Sequence, residues 1–448
     1  MIDFDFDTEK SDEFIANVVA GDGKFVVSDV NLHGMPMVDY ITVHAGDITT
    51  LGRDRATTEN KDLPSFLTPI RYINGKMKDG WLMFYPAGPR YRHFNPAIMA
   101  APVAMQMGGY LSQLNSYEEA FKNLDMKMLM TREERQAWKF ANKYAAANTP
   151  QVFSPLYLPE KDKAGWFRPY ASFENVRMNN GPKVNNIMYG SYFGGDSNMY
   201  ELKNGMDFQY SVYVGYNGSH QTYDWTGIYQ NGVNVGATGI WFKDNFFTAV
   251  TANVGASFAE AHTMYGKENF EMLLAGFASK TGYNWELAEG KFIVQPSMLL
   301  SYTYADGFDY TNAAGVRVKP EALNALNVHP GIKVIGNLKH GWQPYASLSI
   351  SWSVLDKTNF SAKETPLPDI GVKPYFQYGF GVQKRWGDRF TGFFEMMFRS
   401  GGRAGLALTS GFRWTLGKDK DSYSAKKTKV KTKNKKKNIS KFKKLFKK

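Results

Sequence analysis

The sequence predicts an all-β protein, a twelve-stranded antiparallel β-barrel that crosses a membrane with its strands, preceded by one helical stretch. Three observations carry this reading. Residues 166–417 divide into twelve runs, most of them long enough for the ~9–11 residues of a tilted membrane strand. Many of these runs alternate, with aromatic and branched residues on one face and Ser, Gln, Thr, Gly, Glu or Arg on the other. No run of about 18 apolar residues occurs. That excludes a membrane-spanning helix but not a barrel, whose alternating strands average to mild hydropathy.

Four regions follow one another along the 448 residues. Residues 1–90 contain short β-like runs, such as Phe25-Val26-Val27 and Tyr40-Ile41-Thr42-Val43, broken by Gly and Asp. The opening Met-Ile-Asp-Phe-Asp-Phe-Asp has neither a basic nor an apolar leader segment and is no signal peptide. An envelope barrel needs one, so either the chain is a piece of a longer protein or the membrane reading is wrong.

Residues 91–165 hold the only long helical stretch. It opens at Asn95-Pro96, a cap residue followed by Pro at the first helical position. Pro102 should kink or restart it, and Gly108-Gly109 should weaken it. A second helical piece is expected near Thr131, with Glu134 closing a capping box. Small residues dominate the first half: Ala97, Ala100, Ala101, Ala104 and Gly108, followed by Leu111 and Leu114 at helical spacing. A soluble amphipathic helix seldom needs so many small residues, whereas a helix held in a narrow tube does. These seven are the candidate pore-helix positions.

The strand runs are expected at about 166–176, 186–193, 207–216, 230–242, 246–258, 269–283, 291–304, 328–337, 341–354, 373–386, 389–399 and 405–416. In the ninth, Trp342, Leu348, Ile350 and Trp352 oppose Gln343, Tyr345, Ser347 and Ser349. In the twelfth, Leu406, Leu408, Phe412 and Trp414 oppose Ala407, Thr409, Gly411 and Arg413. Alternation alone also suits a soluble sandwich. The polar faces are too polar for a packed core, aromatics sit near strand ends, and tight connections alternate with long ones, as in outer-membrane barrels. Candidate lumen-facing residues are Glu174, Ser347, Glu395, Arg399 and Thr409. The charges among them are either solvated by water or bonded to the helix. Trp225, Trp241 and Trp285 suit a girdle or loop better than a ligand-stacking site.

Residues 418–448 carry 15 Lys against Asp419 and Asp421, a net +13, while the whole chain is +12. The rest is therefore close to neutral, and a nucleic-acid-binding body is not supported. The tail cannot bury a core and should be disordered. Zero Cys removes disulfides and thiolate metal sites. It suits a reducing compartment, or an envelope protein that stays unfolded while it crosses an oxidising one. The seven His do not pair at metal spacing, and neither a G-x-S-x-G nor a phosphate-binding G-x-x-x-x-G-K-[ST] occurs. No enzymatic site and no cofactor is expected.

Residues 95–417 resemble the translocator domain of classical monomeric autotransporters, the type V secretion family. Gly165-Trp166-Phe167-Arg168-Pro169-Tyr170 looks like that family's opening strand, Gln295-Pro296-Ser297-Met298-Leu299-Leu300-Ser301-Tyr302 like its middle, and Gly411-Phe412-Arg413-Trp414 like its close. The resemblance implies a bacterial outer-membrane barrel at 166–417 with a helix in its pore. It implies that residues 1–90 are the end of a β-helical passenger displayed at the cell surface, and that the tail is periplasmic. The partners it implies are outer-membrane lipids, the barrel assembly machinery and the chain's own passenger segment.

Two departures stand out. The family ends at the aromatic of its last strand, whereas here some 31 residues follow. Members that cleave their passenger do so at paired Asn in the pore helix, whereas Asn115, Asn123 and Asn142 are isolated. A porin-like outer-membrane channel and a secreted carbohydrate-binding β-protein are the competing functions.

Overall fold

In the computed structural model the described residues are 96–125, with side chains at 101–122, and 163–416 apart from 178–182, 203–205, 224–225, 244, 264–265, 314–316, 356–360, 363–364, 367–371 and 387–388. Before residue 87 the backbone of eight short strands is described. The expected helical piece near Thr131 and the Lys-rich tail lie outside the described residues.

Twelve long strands form the barrel. They are β1 (Ala164–Arg177), β2 (Lys183–Asp196), β3 (Asp207–Tyr223), β4 (Thr226–Lys243), β5 (Phe246–Thr263) and β6 (Gly266–Tyr283). There follow β7 (Phe292–Gly307), β8 (Leu323–Gly336), β9 (Trp342–Leu355), β10 (Tyr375–Trp386), β11 (Phe390–Gly401) and β12 (Arg403–Thr415). Each pairs antiparallel with its sequence neighbours, and β12 pairs with β1, with Leu408 opposite Ala171. The sheet thus closes on itself and leaves no free edge among the long strands.

The pleat sorts side chains as the alternation demands. On β3, Tyr210, Val212 and Val214 face outward while Gln209, Ser211 and Tyr213 face the lumen. On β9, Leu348, Ile350 and Trp352 face outward and Gln343, Tyr345 and Ser351 inward. A sheet with an apolar exterior and a polar interior is inverted relative to a soluble fold. It is stable where the surrounding solvent is hydrocarbon, because every strand's backbone groups are paired within the ring.

Three expectations need correction. Several strands run further than the alternation suggested: β3 continues to Tyr223 and β5 to Thr263, and β8 begins at Leu323. The added segment Asn217-Gly218-Ser219-His220 lacks the apolar alternation, yet its backbone still pairs with a neighbour on both sides. Ladder pairing does not need an apolar face.

Connections also do not sort cleanly into short and long ends. At the end where β1 finishes (the loop end), 308–322 and 356–374 are long, but 224–225 and 264–265 are tight. At the opposite turn end, 197–206 is the longest. Height at the loop end comes instead from the 18-residue strands β4, β5 and β6.

Lastly, helix α1 (Pro96–Asp125) is one element of 30 residues that passes through Pro102 unbroken. Pro102 removes one backbone hydrogen bond and crowds the preceding turn. The neighbouring Ala101, Val103 and Ala104 are all buried, so surrounding packing holds the helix where propensity would not.

Candidate functional site in the barrel lumen

From Ala101 to Phe121, every described α1 residue but one is buried, and the apolar and small residues point in all directions around the axis. A helix of that kind must be enclosed on all sides. The lumen encloses it. Its N-terminal half lies at the loop end, where Gln106 Nε2 donates to the carbonyls of Ala305 (3.1 Å) and Glu321 (3.0 Å). Its last described turn reaches Thr409, mid-way along β12.

Two sides of the lumen hold α1 in different ways. On the β3–β8 side the helix backbone comes close to the wall. A Cβ on Gly108 would fall 2.0 Å from Gln230 Oε1, and one on Gly109 would fall 2.3 Å from Met272 Sδ. Glycine permits this approach because no helix side chain occupies the space that the wall's Gln230, Gln221 and Met272 side chains fill. Neutral hydrogen bonds fill the seam. Asn234 and Asn253 both donate to Ser116 Oγ, at 2.7 and 2.8 Å. Gln113 Nε2 donates to Asn253 Oδ1 at 2.9 Å, and Gln230 Nε2 to the Met105 carbonyl at 3.2 Å. Tyr110 donates to Asn327 Oδ1 (2.7 Å) and Tyr117 to the Tyr302 carbonyl (3.0 Å).

On the side formed by β10, β11, β12 and β1, long charged side chains reach across to the helix. Lys122 Nζ lies 2.8 Å from Glu395 and 3.0 Å from Glu119, and donates to Thr409 Oγ1 at 2.8 Å. Arg399 pairs with Glu118 at 3.4 Å and with Glu174 at 3.3 Å. Arg403 forms a two-pronged pair with Glu174, at 2.6 and 2.8 Å. Arg168 donates to the Glu119 carbonyl while its guanidinium lies 4.3 Å from the centre of the Trp166 ring. Nearer the turn end, Asp196 accepts from Arg413 (3.0 Å), Trp166 (3.0 Å) and Ser211 (2.9 Å). Lys122, Arg399, Arg403 and Arg413 therefore each meet a carboxylate, as a low-dielectric site requires, while Arg168 rests on a backbone carbonyl and an aromatic face.

Of the candidate pore-helix positions, Ala101, Ala104, Gly108, Leu111 and Leu114 are buried in the lumen, and Ala97 and Ala100 lie on the first turns of α1. Glu395 and Thr409 meet on Lys122, and Glu174 and Arg399 meet each other. Ser347 faces inward but stands apart, with its Oγ 3.5 Å from Met397 Sδ. Sequence reasoning passed over Glu118, Glu119 and Lys122, although the i and i+4 spacing of Glu118 and Lys122 was visible. It also passed over Arg168, which shares the alternation of Glu174. Arg403 fell outside the expected twelfth run. Among the described residues, no three His, Asp or Glu side chains converge as a metal site needs. The lumen is built to hold a polypeptide.

The profile of the Autotransporter beta-domain family matches residues 165–396, more than half of the chain. Among solved structures, the transport unit of the autotransporter AIDA-I from Escherichia coli is 15% identical, with a TM-score of 0.50, covering 64% of this chain and 100% of that one. The beta domain of the Bordetella autotransporter Brka is 17% identical, with a TM-score of 0.47, covering 57% and 99%. The translocator domain of the autotransporter NalP from Neisseria meningitidis is 11% identical, with a TM-score of 0.46, covering 57% and 89%. No curated protein sequence matches. A closed twelve-stranded ring, a helix bonded inside it and the family profile over the strands lead to one conclusion: this chain belongs to the autotransporter β-domain family, and its barrel is a translocator of the bacterial outer membrane that exports a passenger and is not an enzyme.

Proposed function

We propose that the barrel remains in the membrane as a closed anchor after export, with α1 as the retained stem of the passenger. Residues 1–90 would lie at the cell surface and the Lys-rich tail in the periplasm. The observation that carries this reading is the direction of α1. Its N-terminal half is bonded at the loop end, whereas β1 begins and β12 finishes at the turn end. An even number of strands returns the chain to the side where it started. A helix threaded through the lumen is therefore the route that sets residues 1–90 and the tail on opposite sides.

The backbone before α1 supports the passenger assignment. Strand Ile2–Asp5 pairs in parallel with Val30–His33, and Phe25–Val27 with Ala56–Thr58, at offsets of 28 and 31 residues. These two parallel pairings suit a coil that stacks turn upon turn, and the segment closes toward α1 with the antiparallel pairing of Ile41–His44 and Tyr72–Asn74 to Trp81–Pro86. The outward apolar face suits contact with outer-membrane lipids, and the family likeness supports insertion by the barrel assembly machinery. An open porin-like channel is disfavoured, because α1 fills the lumen.

Protease treatment of intact cells tests the topology. Residues 1–90 should be digested, while an epitope placed after Lys448 should be reached only when the outer membrane is permeabilised. Antibody binding to that epitope on intact cells would overturn the arrangement.

A further inference from the structure

At the turn end the barrel's outward face carries a belt of aromatics. Trp342 opens β9, Trp386 closes β10, Phe390 opens β11, and Phe412 lies near the end of β12. Belts of this kind mark the head-group level of a bilayer. Lys384 stands inside this one. Its Nζ lies 4.1 Å from the centre of the Trp342 ring and 5.7 Å from that of Trp386, so two indoles wall the ammonium. Trp342 faces Lys384 across the β9–β10 ladder, and Gly392 faces it across the β10–β11 ladder. A Cβ on Gly392 would fall 3.0 Å from the Trp386 ring. The ring therefore lies over Gly392, beside the lysine, in space that a larger residue would take.

The surroundings of Lys384 are of one sign. Residues 334–345, 382–386 and 389–394 hold Lys339, His340, Lys384, Arg385 and Arg389 and no Asp or Glu. The turn that carries Lys339 and His340 packs on the end of β10, where a Cβ on Gly341 would meet the Arg385 carbonyl oxygen at 2.7 Å. Elsewhere the turn end mixes signs, with Asp196 and Asp207 near Lys163 and Lys243. Among the described residues no carboxylate meets Lys384, so its three N–H donors face the head-group layer without a protein anion.

We propose that Lys384, walled by Trp342 and Trp386, binds the phosphate of an anionic phospholipid of the phosphatidylglycerol class on the barrel's outer face. The rings hold a long flexible side chain in one place, so less freedom is lost when the phosphate arrives. A zwitterionic head group brings an ammonium of its own, which the one-signed patch repels. The lipid's acyl chains run onto the outward-facing Phe380 and Phe394, one or two pleats deeper, which a free phosphate would leave unused. The site rests on the turn end lying at a bilayer surface, and the topology proposed above makes that surface the periplasmic leaflet.

Photo-crosslinking tests this in a bilayer whose two leaflets are alike. The refolded full chain is held in phosphatidylcholine nanodiscs that contain a trace of phosphatidylglycerol or of phosphatidylcholine, each with a diazirine on its head group. Adducts are mapped by peptide mass spectrometry. Phosphatidylglycerol should label the peptides holding Trp342 and Trp386 about tenfold or more above phosphatidylcholine, as one charge-assisted contact provides. Lys384→Gln should remove that excess and Lys384→Arg should keep it. Both should keep heat-modifiable mobility on a detergent gel, which shows that the barrel is intact. Equal labelling by the two lipids would overturn the proposal. An excess unchanged in K384Q would overturn it too, and would assign the attraction to the basic rim as a whole. Loss of the excess on adding millimolar inorganic phosphate would mark a site for free phosphate and overturn the lipid assignment. The protease and epitope results, which read topology alone, stand or fall separately.

Discussion

Glu174 on β1 and Arg403 on β12 grip each other across the seam where the barrel closes, with Arg403 Nη2 2.6 Å from Glu174 Oε1 and Arg403 Nε 2.8 Å from Glu174 Oε2. Both are buried, and Arg399 adds a contact to Glu174 at 3.3 Å. The first and last strands are the pair most distant in sequence, so the seam is the ladder with the highest loop-closure cost. A buried pair at that place specifies which edges meet.

Breaking the pair from one side should be costly. Glu174→Gln leaves two guanidinium groups sharing one neutral side chain, and Arg403→Ala leaves a buried carboxylate with half its partners. Each should destabilise the barrel by about 3–5 kcal/mol. Replacing both, in E174L/R403L, should cost less than either single change, because the charge left behind, Arg399, keeps Glu118 as its partner. Urea titrations that follow heat-modifiable mobility on detergent gels give the comparison. Single variants as stable as the parent would show that the seam does not depend on this pair.

The contact of Gly276 with the helix leads to a different expectation. A Cβ on Gly276 would fall 2.0 Å from the Tyr117 hydroxyl and 2.3 Å from the Tyr302 carbonyl oxygen. Tyr117 donates to that same carbonyl. Gly276→Val should therefore push Tyr117 away and loosen α1 in the lumen, and it must also displace the Tyr302 carbonyl of β7, so the β6–β7 ladder should shift locally. Gly108→Ala should be milder, because its intruding atoms are the far ends of Gln230 and Gln221. A disulfide between Cys at Leu114 and Cys at an adjacent lumen position would report the difference as crosslinking yield. Equal yields in G276V and G108A backgrounds would sink the argument.

Ser116 is expected to matter more than its size suggests. Its hydroxyl accepts from Asn234 and Asn253, which sit on neighbouring strands β4 and β5. Ser116→Ala leaves two buried amides short of an acceptor at once, a loss of about 1–3 kcal/mol in retention of the helix. Asn234→Ala leaves Asn253 still bonded and should cost less. Trypsin sensitivity of α1 in the refolded barrel ranks the two variants. The reverse order would show that Ser116 is not the hub.

Some of this was legible in the sequence and some was not. Strand number and the inward face of Glu395, Arg399 and Thr409 followed from a period of two, which the pleat enforces residue by residue. The small face of α1 followed from Ala and Gly density. Strand ends such as 217–223 escaped notice because ladder pairing past the membrane needs no apolar alternation. The meeting of Lys122 with Glu395 was not legible. It joins residues 273 positions apart, and its geometry depends on how deep α1 sits, which no local pattern encodes.

That same pair offers the sharpest test of what holds the helix in place. Lys122 Nζ lies 2.8 Å from Glu395, which also accepts from the Tyr345 hydroxyl at 2.8 Å. Thr409 donates to Glu119 at 3.1 Å beside it. Glu395→Lys sets two ammonium groups against each other in a buried place where the wall cannot shift, since β11 is paired on both sides. The helix, held by side chains alone, is the part that should yield. Planar-bilayer recordings should then show the closed parent barrel become a conducting one. The exchange K122E/E395K restores opposite charges at the same distance and should close it again, although Glu119 then faces a new carboxylate and closure should be incomplete. Conductance unchanged by E395K would mean that the hydrogen bonds on the opposite side hold α1 without help from the charges. Conductance that K122E/E395K fails to reduce would mean that Glu395→Lys opens the lumen by disturbing the strand rather than by repelling the helix.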